Sequence, residues 1–113
     1  MSELPERGAL VWVDFTPQSG REQSGHRPAL VMSPRIYHER SKLAVVCPIT
    51  SNKRPWPWKV ALPDGLSVSG AVLVDQVRTI DRSARRLRPA GAVPQSVVVE
   101  VQAKLAALFG IAC

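Results

Sequence analysis

The chain has 113 residues, of which 45% are hydrophobic and 21% charged, with a formal net charge of +6. That is enough apolar content for a core and too little charge for a disordered polyelectrolyte. No apolar run approaches the roughly 20 residues of a membrane span, and none reads as a signal peptide.

The length predicts a single domain over residues 1–113, with 1–7 loose at its start. The excess of 15 Lys and Arg over 9 Asp and Glu suits a nucleic-acid backbone or an acidic protein partner. Neither Cys47 nor Cys113 has a neighbour at metal-ligand spacing, and His26 and His38 are the only histidines, so no metal or other cofactor is expected. Cys47 lies within an apolar run and reads as a small core residue. The expected compartment is reducing and cytoplasmic.

Taken in order, Ala9–Phe15 is a strand rich in β-branched and aromatic residues, stopped by Thr16-Pro17. Residues 16–27 form a long polar loop, and Pro28–Ser33 is the second strand. Ser33-Pro34 then predicts a short helix to Arg40, with Ser33 as N-cap, Ile36 and Tyr37 inward, and Glu39 and Arg40 outward. Leu43–Thr50 is a buried strand, and 51–55 a basic turn. From Trp56 to Leu62 the pattern alternates, which puts Trp58, Val60 and Leu62 on a core face.

Pro63-Asp64-Gly65 is a turn. Ser69–Ile80 is the longest predicted strand, interrupted in polarity by Asp75 and Gln76. A helical turn at 81–85 and a short basic strand near 86–88 follow. The last element is a helix over 94–109, with Val97, Val98, Val101, Leu105, Leu108 and Phe109 in one stripe, a Glu100–Lys104 pair outside it, and Gly110 as its stop. The prolines and about five to seven short strands imply a mostly β fold with short helices: a small antiparallel barrel and a C-terminal α-helix.

Several groups could carry chemistry. Glu22, His26 and Asp75 are candidates for proton transfer, and Arg27 is a planar fork suited to a phosphate. Thr50 and Ser51 offer hydroxyls where a buried strand surfaces. Lys53, Arg54 and Trp56 interleave cations with an aromatic face, the combination that holds single strands. Each has a plain alternative: a surface ion pair for Arg27, a turn for His26, local backbone bonds for Thr50, an arginine partner for Asp75. RNA cleavage without a metal needs only a base, an acid and one or two cations, because the 2′-hydroxyl of the substrate is the nucleophile.

The chain resembles the MazF/PemK-type toxins of bacterial toxin–antitoxin pairs. The matching blocks are Gly8–Phe15, Gly20–Pro34, Cys47–Thr50 and Gly70–Ile80, in the family's order and spacing over roughly residues 8–110. The resemblance implies an SH3-like barrel of the MazF/PemK/CcdB type, a homodimer, and a sequence-specific, metal-independent endoribonuclease acting on single-stranded RNA, especially mRNA. Its products would end in a 2′,3′-cyclic phosphate and a 5′-hydroxyl. A cognate antitoxin with an acidic flexible segment would cover the RNA groove.

Carried over residue by residue, Arg27 takes charge stabilisation and protonation of the leaving group. Thr50 positions the 2′-hydroxyl or phosphate, and Glu22 is the acidic loop residue. Asp75 is an acid or base in members that have an arginine two residues before it. Here that position is Leu73, so the Arg27/Thr50 version is preferred, with His26 and Asp75 as possible acid/base groups. Gln23, Ser51, Lys53, Arg54, Trp56, Gln76 and Arg78 are assigned to RNA binding. Residues 16–25 and 51–56 set the choice of RNA sequence, and 20–25 form a flap. The alternative is a non-catalytic toxin of the same fold that poisons a protein such as DNA gyrase.

Overall fold

The chain is described from a computed structural model, over residues 4–15 and 25–111. Its centre is a long strand with neighbours on both sides. This is β3 (Leu43–Thr50), paired along one edge with β2 (His26–Val31), which in turn pairs with β1 (Ala9–Asp14). Along its other edge β3 has two partners in succession. Its first half, Leu43–Val46, pairs with β6 (Arg78–Asp81), and its end, Ile49–Thr50, pairs with β5 (Ala71–Leu73). Strand β4 (Lys59–Ala61) closes on β5, and β7 (Arg88–Ala92) closes on β1. All pairs are antiparallel, in a seven-stranded sheet whose main order is β4-β5-β3-β2-β1-β7. The path is open rather than closed, and the fold is a small barrel-like sheet with a C-terminal helix, as the strand pattern predicted.

Strands β3 and β5 and the second half of β2 are buried on both faces, which is why they read as continuous apolar runs rather than alternating ones. Leu10, Leu30, Cys47, Ile49 and Val72 point to one side, where α2 (Gln95–Phe109) covers them with Val97, Val98 and Val101. Val11, Val13, Phe15, Ala29, Val31, Val46 and Ile80 point to the other side and pack together. Helix α2 ends where expected: Gly110 takes a left-handed φ of 72°, and Ile111 N–H donates back to Ala106 O at 2.8 Å.

The fold corrects several expectations. The long strand over 69–80 is broken by a 3-10 turn at Val74–Gln76, between β5 and β6. Leaving the sheet there puts Asp75 in solvent, where an unbroken strand would have had to shelter a carboxylate.

Helix α1 (Arg35–Arg40) forms, but Ile36 and Tyr37 are exposed and His38 is the buried residue, at 2% exposure. Ser33 does not cap the helix. Its hydroxyl accepts Val45 N–H at 2.8 Å and meets His38 Nε2 at 2.7 Å, while His38 Nδ1 reaches Pro5 O at 2.8 Å. A carbonyl only accepts, so Nδ1 carries the proton and Nε2 accepts from Ser33. With both nitrogens satisfied the ring can be buried neutral.

Three more differences concern α2 and β4. The α2 stripe is buried through Val101 and partly at Leu105, but Leu108 and Phe109 lie beyond the sheet and are exposed. Strand β4 is short, so Val60 is core, whereas Trp58 is only partly buried and belongs to neither core group. Glu100 does not pair with Lys104, whose ammonium reaches across to Pro57 O at 2.6 Å.

Candidate nucleic-acid cleavage site

Arg27 lies in β2 directly opposite Val13 of β1, and opposite residues of an antiparallel pair share a face. Val13 belongs to the core group away from α2, so Arg27 lies on that side, partly buried. Ala29 stands opposite Pro48 in β3. Period-two alternation along both strands puts Arg27 and Thr50 on the same face as that pair. Arg78 stands opposite Val46, again on this face, and its guanidinium lies over the Phe15 ring, 5.2 Å from the centroid. The sheet thus gathers Arg27, Thr50 and Arg78 on one side. Arg27 and Arg78, more than fifty positions apart in sequence, come to this one face because β3 pairs with β2 on one edge and β6 on the other.

Thr50 is itself buried at 7% exposure, and its Oγ1 accepts Asn52 N–H at 3.1 Å. This local bond is the plain structural role weighed from sequence. It also fixes the hydroxyl's direction at the mouth of the site and leaves its proton available to donate. Gly70 faces it across the β3–β5 pair with φ of 132°, so close that a Cβ there would stand 2.2 Å from Thr50 O.

Residues 51–57, which follow Thr50, are exposed along their whole length. Even so, they are tied at several points. Asn52 Oδ1 accepts Arg54 N–H at 2.9 Å, and Lys59 Nζ donates to Asn52 O at 3.0 Å and Arg54 O at 2.9 Å. The carbonyl of Pro57 takes Lys104, and the indole of Trp56 donates to Asp75 Oδ2 at 3.2 Å. Ser51, Lys53, Arg54 and Trp56 are therefore held out as a shaped, basic edge beside Thr50. Gln76 is partly buried on the 3-10 turn behind it.

His26 is not brought into this group. It is the residue before Arg27, and strand alternation turns it to the opposite face. Its ring meets the edge of Trp12 at 5.8 Å between centroids and lies 3.4 Å from Arg88. Glu22 and Gln23 lie outside the described residues. Asp75 sits on the rim, bound to Trp56 rather than set beside Arg27. Cys47, behind the site, has its thiol pushed up to about 12 by burial and by the Asp75 charge, so it is an inert core group. Among the described residues no His, Cys, Asp and Glu side chains gather into a metal-binding group, and no helix is long and apolar enough to cross a membrane.

Sequence reasoning missed the supports. The sequence pairs Lys104 with Glu100 and leaves Asn52 and Lys59 as part of a basic stretch, because a lysine that ties a loop looks like any surface lysine until its carbonyl partner is known.

A fold of this topology has known counterparts. The PemK-like, MazF-like toxins of type II toxin-antitoxin systems match residues 6–109. This chain belongs to that family. It is 37% identical over 107 residues to the endoribonuclease toxin MazF of Escherichia coli K12, covering 95% of this chain and 96% of that one. It is 39% identical over 109 residues to the endoribonuclease toxin ChpB of the same strain, covering 91% and 92%. Among solved structures, MazF from Deinococcus radiodurans superposes with a TM-score of 0.92 at 44% identity, covering 97% of this chain and 100% of that one. A MazE-MazF structure from the same organism superposes at 0.88, with 98% and 100% covered. The expected family and barrel-like fold are thus borne out.

Proposed function

We propose that this chain is the toxin of a type II toxin–antitoxin system and acts as an endoribonuclease on single-stranded RNA. The observation that carries the reading is the placement of Arg27, Thr50 and Arg78 on one face of the sheet, within a fold whose relatives carry the name endoribonuclease.

The chemistry follows from those groups. The 2′-hydroxyl of the RNA attacks its own adjacent phosphorus, and the 5′-oxygen leaves. A 2′,3′-cyclic phosphate and a 5′-hydroxyl remain. Charge grows on the phosphoryl oxygens along the way, and Arg27 and Arg78 are the cations at hand to meet it. Arg27 also delivers a proton to the leaving oxygen. Thr50, with its oxygen tied to Asn52, donates to a phosphate oxygen or orients the 2′-hydroxyl. Glu22 is the remaining candidate for accepting the nucleophile's proton. No metal is required by this sequence of steps, and we expect cleavage to continue in a chelator.

The basic edge at 51–56 guides the strand into place, with the +6 charge drawing in an RNA or an acidic antitoxin segment. Similar MazF chains have been solved with MazE, which supports a cognate antitoxin for this chain as well. We further infer a homodimer acting in the cytoplasm, choosing its sites on mRNA by sequence.

The decisive experiment compares an all-ribose single strand with the same strand carrying 2′-deoxy sugars. Internal attack predicts cleavage of the first alone, with cyclic phosphate ends. Equal cleavage of both would remove this mechanism. Growth arrest without any RNA cleavage would favour a toxin that poisons a protein instead.

A further inference from the structure

Trp56 carries a single polar atom, the indole N–H, which can only donate. That donor is occupied by Asp75 Oδ2 at 3.2 Å. The ring is 51% exposed, on a loop whose carbonyls are tied down by Lys59 and Lys104. Asp75 itself stands on the 3-10 turn where the chain leaves the sheet between β5 and β6.

We propose that Asp75 is a positioning residue: it holds the Trp56 indole by its N–H, so that the ring offers only its faces and forms a stacking subsite for one unpaired base beside Thr50. This deepens the ribonuclease reading and rests on it for the identity of the ligand. Two consequences follow. An indole whose donor is engaged cannot read a base edge by hydrogen bonding, so this subsite accepts every base and favours purines by their larger ring area. In addition, a carboxylate committed to Trp56 does its work by geometry, so its removal weakens binding instead of altering proton transfer.

The test uses the full chain and a labelled single-stranded oligomer in two forms, all-ribose for kinetics and 2′-O-methyl for affinity without cleavage. Asp75→Ala and Trp56→Phe each raise KM and weaken affinity by roughly 5-fold, since each deletes the same hydrogen bond. The double variant is no worse than either single one. Asp75→Asn keeps an acceptor oxygen and recovers most of the loss, with the kcat–pH profile unchanged in shape. The indole N–H resonance of Trp56, identified by its absence in Trp56→Phe, moves in Asp75→Ala and returns towards its place in Asp75→Asn.

A fall in kcat with a displaced pH limb in Asp75→Asn assigns proton transfer to Asp75 and overturns the proposal. Unchanged affinity in Asp75→Ala overturns it too, while leaving the ribonuclease reading intact. If the wild-type chain leaves the all-ribose strand uncut yet shows these affinity changes, the ribonuclease reading fails and the stacking subsite stands. Failure of the wild-type chain to bind either oligomer overturns both.

Discussion

Arg27 and His26 are neighbours in the chain and stand on opposite sides of the sheet. Period-two alternation decides this, and it separates two residues that composition alone would place in one site. Arg27→Ala should lower kcat for RNA cleavage by about 100-fold or more while leaving the chain folded, the size of effect seen when a charge-stabilising donor is lost. His26→Ala should cost less than roughly 10-fold, because its ring contacts Trp12 and Arg88 rather than the Arg27 face. Single-turnover cleavage beside thermal melts separates the two cases.

The other informative residue is His38. Burial lowers its pKa below 6.5, reinforced by the nearby Arg82 charge and only partly opposed by the bond to Pro5 O. The unfolded chain therefore takes up a proton more readily than the folded one. Stability is full above that ordinary value of 6.5 and falls as the pH drops below it. The urea midpoint should be lower at about pH 5.5 than at about pH 7.5, and His38→Gln should flatten the dependence even as it lowers stability throughout.

Among the elements, the β3–β5 contact carries the most strain-sensitive point. Gly70 adopts φ of 132° with Thr50 O where its Cβ would stand. Gly70→Ala has no room to relax against backbone and should cost about 3 kcal/mol or more in denaturant unfolding. Gly65→Ala shares a positive φ of 90° but meets nothing within 4 Å, so it should cost only about 1–2 kcal/mol. Because Gly70 touches the Thr50 backbone, the first variant should also impair cleavage in the fraction that remains folded, and the second should not.

Element type was largely legible from the chain. β1, β3 and α2 appear almost at their predicted bounds, since β-branched runs and a 3.6-residue stripe are local signals. The break in the long strand was not legible. Val72, Val74, Val77 and Ile80 look like one run, and only the two different partners of β3 show where the chain must step out. The same holds for α1: its short apolar pair suggested an inward face, but a histidine satisfied by Ser33 and Pro5 took the buried place.

At the scale of the whole molecule, charge governs the encounter with RNA. A chain of net +6, with Lys53, Arg54 and Arg78 near the site, should lose affinity for a 2′-O-methyl strand steadily as salt rises. Fluorescence titrations at several salt concentrations should give a straight log–log plot. Lys53→Ala or Arg54→Ala should reduce its slope by roughly one each if each meets a phosphate. A slope unchanged in both would place the RNA elsewhere on the surface.

The amino-acid sequence determined the kind of protein this is. Its apolar runs specify strands buried on both faces, its late stripe specifies the helix that covers one of them, and the matched blocks from Gly8 to Ile80 name the family. These are local or ordered features that survive being read along a line. Tertiary structure alone decided which polar groups share a face of the sheet. Arg27, Thr50 and Arg78 share a face through strand register, and His26 is turned away by it. Asp75 is a surface post bound to Trp56 because β3 changes partners beside it. Such facts depend on which edges pair and where a pairing ends. Those are set by the packing of distant segments against one another, and no local pattern encodes them.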